Sequence, residues 1–138
     1  MTGVDPPEQE PLRVSILAQG AYLIASIHTA LDDEHFERFQ HDLIGQIGQR
    51  RARGVIIDVA ALDVLDSFGS RTLCDLGQVA RLRGAETVVV GIQPEVAFAM
   101  VKFGINLDTI HAALDLEEGL ELLDQLGSSG AELRSGGH

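Results

Sequence analysis

Hydrophobic and polar positions along the chain follow two alternating periods. Residues 12–18 and 21–28 are short runs rich in Val, Ile, Leu and Tyr, parted by Gln19-Gly20, and they read as a β-hairpin. In the second run Tyr22, Ile24, Ser26 and His28 alternate with Leu23, Ala25 and Ile27, which predicts one face more polar than the other. Residues 31–51 switch to helical spacing, with Phe36, Phe39, Leu43 and Ile47 as the buried stripe and Gln40 and Ile44 at its edge. Asp32 or Asp33 is placed to cap that helix and Glu34 suits its first turn. Arg50, Arg51 and Arg53 cluster at its C-terminal end, where positive charge is favoured without any ligand.

Gly54 permits a turn into Val55-Ile56-Ile57-Asp58-Val59, a short apolar run of the kind found in the middle of a sheet. A second helix is predicted over residues 68–83, with Leu73, Leu76, Val79, Ala80 and Leu82 or Arg83 on its inner face and Gly84 at its end. Residues 87–92 form another central strand, and Pro94 suits the first position of the helix that runs to Gly104. Residues 109–113 suggest a short edge strand. Residues 115–126 form a last helix, with Leu116, Leu120 and Leu123 inside and Glu117, Glu118, Glu121 and Asp124 outside. The order is ββαβαβα(β)α, an α/β fold with a mixed sheet of four to five strands and about four helices, the helices largely covering one face.

Residues 1–11 carry Pro6, Pro7 and Pro11 among Asp5, Glu8 and Glu10, which predicts a disordered leader. The Gly- and Ser-rich residues 127–138 predict a disordered tail, leaving residues 12–126 as one domain. Ten basic against 21 acidic residues give a net charge of −11, which repels nucleic acid and anionic membranes alike. No apolar run approaches the roughly 20 residues of a membrane span, and residues 1–11 have no signal-peptide character. A cytoplasmic protein is expected, and the single Cys74, unable to form an internal disulfide, agrees with a reducing compartment and reads as a buried thiol.

The chemistry concentrates at Leu65-Asp66-Ser67-Phe68-Gly69-Ser70, where a strand gives way to a helix. Either Asp66 or Ser67 can serve as the N-cap, accepting hydrogen bonds from the free N–H groups of the first turn. The alternative is that Ser67 is a modified switch residue. Catalysis by Ser67 would need a histidine base, an oriented acid and a nucleophile elbow, and the corner has no G-x-S-x-G pattern. His28, His35, His41, His111 and His138 are scattered without metal-ligand spacing, and Gly45 and Gly48 are followed by no Lys-Ser or Lys-Thr of a phosphate loop. No enzyme activity, cofactor or metal is expected.

Leu65-Asp66-Ser67-Phe68 at the corner, Val90-Gly91-Ile92-Gln93-Pro94-Glu95-Val96-Ala97, Phe103-Gly104-Ile105 and Ala113-Leu114-Asp115-Leu116-Glu117-Glu118-Gly119-Leu120 together resemble the STAS family, the sulfate transporter and anti-sigma-factor antagonist domains. The resemblance runs in order over residues 12–126, and the Gly91–Glu95 and Phe103–Ile105 motifs are similar to the stressosome scaffold branch, of the RsbS type. It implies phosphorylation of Ser67 by a switch serine kinase, with Ser70 and Thr72 as secondary targets, and a partner-binding corner of Asp63, Asp66, Ser67, Phe68 and Ser70. It further implies capture of that kinase, a serine phosphatase, homo-oligomers, and a large mixed shell with sensor-bearing STAS paralogues. The short segment before the first strand and Ala99, where paralogues carry a second hydroxyl, favour the scaffold type. Two other roles are compatible with the family: a simple anti-anti-sigma factor binding an anti-sigma kinase, and a STAS subunit of a membrane transporter. A phosphoserine would add about −1.5 to −2 charge, which a helix N-terminus accommodates, so the domain is expected to stay folded while its partner is repelled.

Overall fold

A computed structural model describes residues 13–104 and 108–136, with side chains as far as Gly127; the expected leader lies outside them. The chain forms β1 (Val14–Gln19), β2 (Tyr22–Ile27), α1 (Asp33–Arg50), β3 (Gly54–Asp58), α2 (Ser67–Leu82), β4 (Glu86–Val90), α3 (Pro94–Lys102), β5 (His111–Ala113) and α4 (Leu116–Gly136). The α/β reading and its strand order hold, with the bracketed edge strand present as β5. The five strands lie in sequence order, β1 antiparallel to β2 and every later pair parallel.

That order places α1, α2 and α3 together. Parallel crossovers share one hand, so successive connections advancing in one direction across a sheet arrive on the same face. Phe36, Phe39, Leu43 and Ile47 of α1, Leu73, Leu76 and Ala80 of α2, and Val96 and Met100 of α3 bury against Leu23, Ala25, Ile27, Val55, Ile57 and Val89. The inner stripe of α2 differs from its expected form at one end. Leu82 is 85% exposed and Val79 is only half-buried, while Gly69, Ser70, Thr72 and Gly77 are buried. The helix is rotated so that its small residues meet its neighbours: a side chain at Gly69 would begin 2.7 Å from Phe36 of α1.

Three of the four described helices thus share one face, as expected, and the fourth closes the other. α4 crosses it, with Leu123, Leu120 and Leu122 on Ile24, Ile56, Val88, Val90, Tyr22 and Ala113. The Tyr22 hydroxyl donates to Asp124 Oδ1 and ties the helix to β2. Leu116, expected inside, is 38% exposed, and Gly119 lies buried one turn later. The backbone of α4 continues to Gly136, ten residues beyond the Leu126 end given by the pattern. Continuous i→i−4 bonding carries a helix through Gly and Ser positions whose individual preferences are weak.

Candidate functional site

The corner after β3 is built by the backbone and anchored by two leucines. Val59 N–H donates to Val90 O at 3.0 Å, Ala60 N–H to Asp58 Oδ1 at 2.9 Å, and Leu62 N–H to Val59 O at 2.9 Å. Leu62 and Leu65 sink into the main core, and the residues between and after them, Asp63, Val64 and Asp66, face solvent. The Gly91-Ile92-Gln93-Pro94-Glu95 motif supports this loop from below. Gly91 has φ +76°, a left-handed conformation that favours glycine, and its Cα hydrogens face Ala60, whose backbone nitrogen would lie 3.1 Å from a side chain there. Gln93 Nε2 then donates to Ala60 O at 2.6 Å. A motif that follows β4 and opens α3 thus shapes the loop before α2.

The N-cap of α2 is Asp66, in extended conformation, with Oδ1 accepting from Gly69 N–H at 2.8 Å. Its carbonyl accepts from Ser70 N–H at 2.9 Å. Ser67 is therefore the first residue of the helix, exposed and without the capping role. For α1 the same geometry selects Asp32 over Asp33, its carboxylate accepting from His35 N–H at 2.8 Å. That hydrogen bond, followed by the one to the His35 ring, holds the Asp32 carboxyl below the usual carboxylate range.

The other candidates separate by burial. Asp63 and Asp66 share the exposed corner with Ser67. Phe68 is half-buried and packs on the main core. Ser70, expected both as a partner contact and as a secondary target, is 1% exposed, and Thr72, the other secondary target, is 6% exposed, donating to Phe68 O at 2.8 Å. Both lie on the buried side of the helix, three and five residues after Ser67, so neither is exposed as Ser67 is.

A groove of about 190 Å³ opens beside the corner, lined by Ser67, Ser70, Arg71, Cys74, Phe103 and Gly104. It joins the start of α2 to the residues that end α3. Sequence reasoning passed over Arg71, Phe103 and Gly104 as site residues. The signal for Arg71 was its position four after Ser67, which puts the two on one helix face; nothing local pointed to Phe103. Cys74 is half-buried in this lining, more accessible than the buried thiol expected. Among the described residues no group of three or more His, Cys, Asp and Glu is placed to hold a metal ion, and no helix is long and apolar enough to cross a membrane.

Residues 13–119 match the family model of the STAS domain. A solved variant of RsbS from Moorella thermoacetica is 33% identical, covering 85% of this chain and 99% of that one with a TM-score of 0.76. A chain from a structure describing the molecular architecture of the stressosome, a signal integration and transduction hub, is 31% identical over 82% of this chain and 98% of that one, TM-score 0.68. Among curated proteins, the RsbT co-antagonist protein RsbRA of Bacillus subtilis is 28% identical over 91 residues, 66% of this chain; the match spans about a third, 33%, of that relative's length.

Proposed function

The chain belongs to the STAS-domain family, and from that premise we propose that it is a non-catalytic scaffold of a stressosome-type assembly, holding a switch serine kinase until phosphorylation of Ser67 releases it. The observation that carries this reading is the division of labour at the corner. Asp66 caps the helix, Ser70 and Thr72 are buried, and Ser67 alone of the three candidate hydroxyls is exposed. The likeness to RsbS and to a stressosome chain over more than four-fifths of this sequence supports the scaffold setting.

In this reading the kinase passes the terminal phosphoryl group of ATP to Ser67 Oγ; the hydroxyl proton goes to a base of the kinase and ADP leaves. The product carries about −1.5 to −2 charge beside Asp63 and Asp66, on a chain already at −11. A partner docked over the corner meets that charge, while the helix N-terminus tolerates it. A serine phosphatase resets the state, and sensor-bearing STAS paralogues share the shell.

The test is phosphosite mapping by mass spectrometry with ATP and extract of the source cells, run beside a pull-down of the bound kinase. One phosphate on Ser67, absent in Ser67→Ala, together with kinase retained by the unmodified protein and released from the phosphorylated one, is expected. Phosphate on another residue, or none in an extract with active kinases, would return Ser67 to a structural helix position.

A further inference from the structure

We propose that the groove beside the corner is a phosphoryl pocket, in which a group carried by Ser67 is held by the Arg71 guanidinium and the Ser70 hydroxyl. This rests on the reading of Ser67 as the modified residue and says what the modification does locally. Three observations meet in the groove. Ser70 lines it, is 1% exposed, and among the described residues its Oγ has no hydrogen-bond partner. A buried hydroxyl ordinarily finds one, so this O–H is a donor waiting for an acceptor. Thr87 Oγ1 is likewise unpartnered but belongs to β4 and is not part of the groove lining.

Arg71, exposed, lines the same groove one turn along the helix from Ser67, at the i,i+4 spacing that brings side chains together. Its planar fork suits phosphate oxygens better than a point charge. The groove also opens at the N-terminal end of the 16-residue helix α2, where the dipole favours an anion. Its volume of about 190 Å³ is room for a phosphoryl group. Among the described residues Arg71 is the one Lys, Arg, Asp or Glu in its lining, and Asp66, Asp75 and Lys102 adjoin other lining residues in the chain. The Asp66 carboxylate is engaged with Gly69 N–H. Phosphorylation thus fills the groove and neutralises Arg71, removing from the surface a recess between α2 and the end of α3.

The test places phosphoserine at position 67 by genetic incorporation, so that no kinase is needed, and follows its phosphorus resonance through a pH titration. The second ionisation is expected below the ordinary value of about 6, and Arg71→Gln raises it by about one unit, a tenfold change in the constant. Ser70→Ala raises it less, and Arg71→Lys, which keeps the charge but not the fork, restores it in part. An unchanged ionisation in Arg71→Gln overturns the pocket. So does saturable binding of inorganic phosphate to unmodified protein, lost in Arg71→Gln, with no such shift in the phosphorylated chain; the groove is then a site for free anions. Since the phosphoserine is installed directly, failure of kinase capture leaves this result standing, and failure of the pocket leaves kinase capture standing.

Discussion

Asp66 and Ser67 are neighbours of similar capping ability, and the backbone separates their duties. The extended conformation and the 2.8 Å bond to Gly69 N–H give the cap to Asp66, leaving Ser67 no local structural task. Replacing a capping Asp by Ala typically costs about 1 kcal/mol. Asp66→Ala is accordingly expected to lower the stability measured by urea unfolding by about that amount, whereas Ser67→Ala stays within about 0.5 kcal/mol of wild type, as exposed positions do. Equal losses in the two variants would mean that Ser67 shares the cap and would weaken its assignment as a dedicated switch. The sequence alone left this open because either side-chain oxygen can accept the same N–H; only φ and ψ at residue 66 choose between them. Ser70 and Thr72 were legible as hydroxyls near the corner, but their burial follows from the rotation of α2 against α1.

Among the elements, α4 shows most clearly how a distant segment completes a local one. The face of β2 carrying Tyr22, Ile24 and Ser26 reads as the more polar one in isolation, yet it lies under the leucines of α4. Tyr22 is the link between the two, donating to Asp124. Burial first, and then the hydrogen bond and the charge of Asp124, push its phenol above the ordinary value of 10.0. With the folded pKa raised, the contribution of Tyr22 is fully present below pH 10, where the phenol is neutral in both states. It is lost as the pH rises further, because the unfolded chain ionises first. Thermal stability is expected to fall more steeply above pH 10 in wild type than in Tyr22→Phe, and parallel curves for the two would show that the bond does not couple α4 docking to pH. The helical period of α4 was readable from its leucines; which sheet face it would cover was not, since nothing in a helix pattern names its partner.

For the whole molecule, the proposed scaffold role concerns assembly, and particle size is the discriminating measurement. Mixed with a sensor-bearing STAS paralogue, the protein is expected to sediment as a particle far heavier than a one-to-one complex, with both chains in the peak. A complex that never exceeds one-to-one with a kinase would favour a simple anti-anti-sigma factor, and copurification with a permease would favour a transporter subunit. On α3, Phe98 and Val101 are 77% and 78% exposed, and Phe103 just after it is 44% exposed. Groups of exposed apolar side chains on a folded domain commonly mark contact surfaces.

What the chain determined by itself was the succession of elements and the place of the corner, because strand and helix periods, Gly and Pro punctuation and capping residues act over a few positions along the backbone. Tertiary structure decided the rest. Five strands in sequence order sent three helices to one face and left the other for α4, the close contact at Gly69 turned Ser70 and Thr72 inward, and the approach of Phe103 to α2 made the groove beside Ser67. Exposure and cavities depend on residues far apart in the chain, and no local pattern carries that information.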